Sequence, residues 1–263
     1  MTDKPILFSG PMVRALLDGR KTQTRRVLKP WPGYQAEWLS METLHSAPTC
    51  YLADVDGHLG VQMQHPRAGT VYQGVDIDAM SPLTWVRLPY AIGDRLWVRE
   101  AWRTSRHYDD LKPSEMGGEE PVQFIADGSV DAHAGRVDDL SGRARPGMFM
   151  PRWASRLTLI VTDVRVQRLQ EISADDARAE GVQPVYDPAS DTGDPAYMNY
   201  QKTGEAFAGL GAARLSFMTL WDSLNAPRGF DWYVNPWVAA YTFEIHRENI
   251  DQMTDTLQQM RTT

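Results

Sequence analysis

Short runs of alternating apolar and polar residues, broken by glycine, proline and acid clusters, recur along this chain and predict more strands than helices. Ile6 to Phe8 reads as a short strand. Ser9 then stands at the N-cap of a helix that has Pro11 in its first turn and Val13, Leu16 and Leu17 on one face. Gly19 ends that helix, because glycine takes the left-handed backbone of a helix terminus without a Cβ clash. Lys21 to Leu28 follows as a strand, with Thr22, Thr24 and Arg26 on one side and Gln23, Arg25 and Val27 on the other. Pro30, Pro32 and Gly33 mark a turn, and Tyr51–Ala53 with Gly60–Met63 predict a hairpin around Asp56-Gly57.

Ala91-Ile92-Gly93-Asp94 predicts a tight turn into the strand Arg95–Glu100, where Leu96 and Val98 alternate with Trp97 and Arg99. Glycine, proline and acids dominate from Lys112 to Pro146, so a long loop or mobile insertion is expected there. Trp153 to Leu169 reads as two strands with a turn near Asp163. Ser173 followed by Asp176 resembles a capping box with a shorter acid, opening a helix through Glu180 that stops at Gly181. Pro184 to Gly211 is a second polar, glycine-rich insertion. Phe217, Leu220, Trp221 and Leu224 form a helical stripe that ends near Asn225-Ala226-Pro227, and Asn235 to His246 is a long strand. The order predicts an α+β chain built on a small, partly closed mixed β-barrel with helices on its rim.

Composition narrows the class. With 42% hydrophobic residues and nine tryptophans among 263 residues, the chain has the material for a packed core. Its single cysteine, Cys50, excludes an internal disulfide framework and a cysteine-rich zinc site, and a reducing cytoplasm is the expected compartment. No apolar run approaches the ~20 residues that span a bilayer, so no membrane partner is expected. The histidines lack ligand spacing and no phosphate-cradling glycine loop is present, so neither metal nor cofactor is expected. Charge is uneven. The chain carries a formal net charge of -7, yet Arg14, Arg20, Lys21, Arg25, Arg26 and Lys29 crowd one stretch against a single acid, Asp18. A basic island on an acidic chain points to a specific polar or anionic ligand rather than non-specific coating of nucleic acid. Arg143, Arg145, Arg152 and Arg156 form a second basic run, a candidate for phosphate contacts.

The segment Asp18-Gly19-Arg20-Lys21-Thr22-Gln23-Thr24-Arg25-Arg26, followed by Gly93-Asp94-Arg95-Leu96-Trp97-Val98, resembles the ASCH domain family. The ending Asn235-Pro236-Trp237-Val238 with Tyr241-Thr242-Phe243-Glu244 is similar to its longer, phage-associated members. The resemblance covers roughly residues 5–29, 90–103, 150–182 and 215–246. It implies one PUA-like domain over residues 1–250, with insertions at about 31–89, 104–149 and 183–212 and a polar tail at 251–263. It also implies an RNA or modified-nucleoside ligand.

Small bacterial members of that family hydrolyse N4-acetylcytidine with a lysine, a threonine three residues later and a glutamate on a downstream helix. Lys21, Thr24 and Glu180 match those positions, with Thr24 as nucleophile, Lys21 as base and Glu180 as the proton source. Lysine at its reference pKa of ~10.4 is neutral in only about one molecule in 2500 at pH 7, so such a role requires a strongly shifted amine. Arg20, Thr22, Arg26, Trp97, Glu100 and Trp102 are the candidate substrate-binding residues, the tryptophans by stacking on a base and Glu100 as a rival carboxylate. Trp237 is a further stacking candidate and Glu171 a weaker carboxylate. The bland alternative is that Lys21 and the threonines are ordinary surface residues, Glu180 a solvated residue in a last helical turn, and the tryptophans core. A metal-free amidohydrolase, a non-catalytic module recognising RNA or a modified nucleotide, and a ribonuclease are the three functions these residues accommodate.

Overall fold

Glycine and proline punctuate the chain largely where the pattern predicts. A computed structural model describes residues 2–28, 50–55, 58–64, 71–72, 75–76, 83–132, 139–185 and 195–253. In chain order the strands are β1 (Asp3–Leu7), β2 (Gln23–Val27), β3 (Cys50–Val55), β4 (His58–Gln64), β5 (Val71–Tyr72), β6 (Val75–Asp76), β7 (Leu83–Arg87) and β8 (Arg95–Arg99). They continue with β9 (Trp102–Arg103), β10 (Val122–Phe124), β11 (Val130–Asp131), β12 (Thr158–Arg168), β13 (Pro184–Val185), β14 (Ala196–Met198), β15 (Ala206–Phe207) and β16 (Trp237–His246). The α-helices are α1 (Gly10–Leu17), α2 (Ala174–Ala179) and α3 (Ala212–Asn225). This is a mixed α+β chain with several sheets and few helices. The largest sheet has the strand order β1-β8-β12-β16-β2, which leaves β1 and β2 as its edges, and among the described residues no sheet closes into the expected barrel.

The chain forms two compact units, each assembled from separated stretches. The first comprises Met1–Thr22, Ile92–Thr162 and Thr242–Thr263. Within it β1 runs parallel to β8, with Ile6 opposite Val98, and β12 pairs antiparallel with β8 through Leu159 and Leu96. Those four side chains are buried, as the alternation requires. Ser9 caps α1 through its extended backbone without a side-chain hydrogen bond, Pro11 lies in the first turn, and Gly19 has φ 72°. Gly93 likewise turns with φ 84° just before β8.

The stretch expected as a loop from Lys112 to Pro146 is instead structured over most of its described residues. The sheet β11-β10-β9 and buried Trp102, Met116, Val122, Phe124, Met150 and Ala154 give it a core of its own. Scattered single apolar residues, too sparse to show a period, supply that core. Residues 133–138 of this stretch lie outside the described residues.

The second unit comprises Gln23–Ala91 and Asp163–Tyr241. The expected hairpin is present as β3 and β4, with Ala53 opposite Gly60, and β7 extends it to three strands; Asp56-Gly57 lies outside the described residues. The turn expected near Asp163 is absent, and β12 runs unbroken from Thr158 to Arg168. The Asp163 side chain is half exposed, so extended backbone leaves its carboxylate solvated, and it pairs with Arg165 at 3.3 Å. The second insertion carries the small sheet β13-β14-β15. Helix α3 buries Phe217, Leu220 and Trp221, but Leu224 is half exposed at 49%. Ahead of β16, Asn235 takes a left-handed backbone (φ 48°), a conformation asparagine tolerates, and its Oδ1 accepts the Gln170 N–H at 2.8 Å.

Helix α2 has only six residues, too few to persist without caps. The Ser173 hydroxyl accepts the Asp176 N–H at 3.0 Å, and Gly181, at φ 88°, closes the other end. Replacing Ser173 with Ala should lower stability by about 1 kcal/mol, the usual worth of an N-cap. Urea unfolding monitored by tryptophan fluorescence would show this, and an unchanged midpoint would mean that α2 is held by packing alone.

Candidate functional site

Two residues of β2 and two of α2 and its cap form a buried polar cluster in the second unit. Gln23 and Arg25 are two apart on a strand and so share a side. Asp176 and Glu180 are four apart on a helical turn and share a face. The Arg25 guanidinium donates from Nη1 to Glu180 Oε1 at 3.0 Å and to Gln23 Oε1 at 2.5 Å, and from Nη2 to Asp176 Oδ2 at 3.1 Å. Gln23 Nε2 donates to Asp176 Oδ1 at 3.3 Å, where Arg165 Nη2 also donates at 3.0 Å. The Arg25 guanidinium also stands 5.8 Å from the centre of the Phe217 ring, within cation–π range.

Burial is what separates this cluster from surface ion pairing. The Arg25 side chain is 0% exposed and that of Glu180 is 6%. Removing two such charges from water costs several kcal/mol each, so the arrangement persists only with near-complete hydrogen bonding. Burial by itself would raise the Asp176 carboxyl. The Arg165 hydrogen bond, the charges of Arg25 and Arg165 and the Gln23 hydrogen bond outweigh it and hold Asp176 below the usual 3.8.

Each residue singled out in the sequence has a definite environment. Thr24 is buried on β2 at 4% exposure and Glu180 at 4%. Lys21, in the first unit, is 2% exposed; its backbone N–H donates to Ala15 O at 3.0 Å and its Nζ lies 5.6 Å from the centre of the Phe8 ring. The surface-residue alternative therefore fails for all three. Among the flanking candidates, Arg20 is half-buried and pairs with Asp18 at 2.8 Å, while Thr22 and Arg26 are half-buried. Both sides of β2 are covered from Gln23 to Arg25, so side alternation alone does not separate exposed from buried positions there.

The aromatic candidates divide. Trp97 is half-buried with the Arg99 guanidinium 5.3 Å from its ring centre. Trp102 has no exposed surface and packs edge-on to Trp153 inside the first unit's core, so it offers no free face for a base. Trp237 is buried beneath the Arg168 guanidinium at 4.6 Å. Glu100 is 1% exposed and forms a two-pronged pair with Arg156, Nε to Oε1 at 2.8 Å and Nη2 to Oε2 at 2.9 Å; Arg156 also reaches Asp127 at 2.9 Å. Desolvation raises the Glu100 carboxyl despite the opposing Arg156 charge and hydrogen bond. Glu171 is exposed and accepts the Arg168 N–H at 2.9 Å, a local cap.

Gln23, Arg25 and Asp176 are not among the residues that catalytic type or the resemblance singles out. The signal was there in the pairing of an i, i+2 strand couple with an i, i+4 helix couple, but nothing in the sequence brings residues about 150 positions apart into register. No family model, curated protein or solved structure matches this chain.

Replacing Arg25 with Met removes the counter-charge that buried Glu180 shares with Asp176, while Asp176 keeps Arg165, and should cost about 3–5 kcal/mol. The acid limb carries a second expectation. Because the folded Asp176 carboxyl lies below its unfolded value, its stabilisation is present above about pH 4 and is lost as pH falls through the folded value. Asp176→Asn should therefore be less stable than the parent at pH 7, by a margin that shrinks as pH falls below about 4. A margin that stays constant on acidification would rule out the ionised carboxylate as the source.

Proposed function

We propose that the chain is an amidohydrolase that removes an acyl group from the exocyclic amine of a cytidine-type nucleoside or modified base, on a PUA-like fold and in the cytoplasm. The reading rests on one observation: the three residues matching the resemblance, Lys21, Thr24 and Glu180, are 2%, 4% and 4% exposed. Lysine and glutamate are almost never so deeply buried unless paired or held for a task, and desolvation disfavours a charged amine in general. The resemblance implies Thr24 Oγ as the nucleophile toward the acyl carbonyl carbon, Lys21 as the base for its proton, and Glu180 as the route by which that proton reaches the leaving amine as the C–N bond breaks. Water then cleaves the threonyl ester, giving the free carboxylic acid and the parent base.

A second reading, a module that binds RNA or a modified nucleotide without catalysis, draws on a different observation. Glu180 is ion-paired with Arg25 at 3.0 Å, an arrangement that also serves simply to fix β2 against α2.

Incubation of the purified protein with N4-acetylcytidine should release cytidine, followed by liquid chromatography, and this turnover should survive a chelator. Lys21→Arg retains charge and near-equal length but gives up the accessible neutral form, so it should lose at least about a hundredfold in kcat. Retarded but intact labelled RNA with no cytidine release supports the binding module, and shortened RNA a nuclease. Unchanged turnover in Lys21→Arg removes the proposed base.

A further inference from the structure

The first unit contains a cleft of about 710 Å³ that none of the residues discussed so far as catalytic lines. That volume lies within the range of small-molecule sites. Its walls carry Arg99, Lys112, Arg143 and Arg145, with Met148, Phe149 and three prolines between them, and among the described residues no acid lines it. Met148 and Phe149 are adjacent in the chain and 57% and 55% exposed, giving the cleft an accessible apolar wall beside its cations.

The state of these cations distinguishes the cleft from the rest of the unit. Three arginines elsewhere in it are neutralised: Arg95 pairs with Asp3, Arg152 with Asp3 and Asp251, and Arg156 with Glu100 and Asp127. Around the cleft, by contrast, Arg99 has no carboxylate partner among the described residues: its Nε donates to the Gly147 carbonyl at 3.2 Å and its guanidinium lies 5.3 Å from the centre of the Trp97 ring. Arg145 is anchored by the carbonyls of Leu111 and Tyr108, at 3.1 and 2.7 Å, neutral acceptors that orient its charge without cancelling it. The Arg143 side chain is exposed, and among the described residues no ion pair or side-chain hydrogen bond engages it. Lys112 has only an exposed partner, Glu115 at 3.1 Å, a surface pair that contributes little and exchanges readily. Desolvation lowers the Arg145 pKa, and the like charge of Arg143 lowers it further against a partial offset from Asp109. Like charges facing one cleft, of which only Lys112 has a carboxylate partner among the described residues, raise its potential and favour an anion that takes several N–H donors at once.

We infer that this cleft is a binding site for a phosphorylated ligand with a flat apolar portion, the phosphate held by Arg99, Arg143 and Lys112 and the flat portion lying on Phe149 and Met148. A nucleotide supplies both parts, either free or as one unit of a single strand. Arginine forks match phosphate oxygens geometrically, and aromatic faces accept any base. The site shares no residue with the proposed hydrolase machinery and stands independently of that activity.

The test is titration of the intact protein with cytidine 5′-monophosphate, cytidine and a labelled single-stranded RNA of about ten nucleotides. The monophosphate should bind at least about tenfold more tightly than cytidine, and its affinity should fall as salt rises. Arg143→Glu should abolish that difference while leaving the melting temperature unchanged, since the side chain is exposed; Lys112→Glu gives a second, equally exposed check. If RNA binds much more tightly than the monophosphate, with a steep salt dependence, the source is a strand; if it does not, the source is the free nucleotide. Equal binding of nucleoside and nucleotide, absence of binding by any of the three, or undiminished nucleotide binding in both charge-reversed variants overturns the site. Acetylcytidine turnover measured on the same variants reports on the hydrolase reading separately, because neither residue belongs to it.

Discussion

A guanidinium with no access to water has to be satisfied from within the protein, and at Arg25 that requirement organises a large part of the second unit. Its terminal nitrogens reach Gln23 on its own strand and Asp176 and Glu180 on a helix some 150 residues later. Any displacement of β2 along α2 would leave a desolvated charge, so the contact defines position more sharply than apolar packing does. It also explains why a six-residue helix is so heavily determined. Ser173 caps one end, Gly181 turns the other, and Asp176 and Glu180 are committed to arginines. The short acid that seemed suited to a reciprocal capping box makes long-range bonds instead, and only the serine half of the motif operates.

The first unit solves the same problem with different residues. Glu100, almost fully buried, is held by both arms of Arg156, whose guanidinium sits 4.0 Å from the centre of the Phe124 ring and reaches Asp127. Desolvation alone would lower the Arg156 pKa, but its two carboxylate partners raise it. Arg99 and Arg145 in the same unit are displaced downward, chiefly by desolvation, and no carboxylate pair restores them. Arginines that are interchangeable in a composition count thus fall into two physical classes. One class holds the fold together, and the other retains charge that the protein itself does not cancel.

Local signals were legible in the sequence and long-range ones were not. The cap-and-glycine punctuation of α1 and α2, the turn at Gly93 and the alternation of Leu96 and Val98 follow from interactions within a few residues, and the structure has them. Alternation failed where both sides of a strand are covered, as along Trp237–Tyr241 and Gln23–Arg25, since there polarity no longer reports the side. Asp163 read as a turn because an acid between apolar runs is a common break. The strand runs on because β12 is hydrogen-bonded between β8 and β16, and Arg165, two residues on, pairs with Asp163 at the surface. Trp102 was a stacking candidate by residue type, but its core partners Met116, Val122 and Phe124 come from a stretch with no periodicity to reveal them. Of the candidate site, the identities of Lys21, Thr24 and Glu180 were readable, whereas their burial and the arginine held against Glu180 were not.

That arginine bears directly on the chemistry proposed for Glu180. A carboxylate receiving an N–H from a guanidinium at 3.0 Å is bound as an acceptor, and arginine does not surrender its proton in proteins. In the proposed cycle any proton that Glu180 passes to the leaving amine has therefore to come from elsewhere than Arg25. Glu100, the other buried carboxylate, is raised by desolvation and is occupied by Arg156. The two buried carboxylates are thus unequal candidates despite similar burial. Glu100 has both oxygens engaged by one guanidinium, whereas the guanidinium that reaches Glu180 is shared with Asp176 and Gln23. Sharing of that kind ties one arginine to two carboxylates on a single helical face, so the charge on either bears on how strongly Arg25 holds the other.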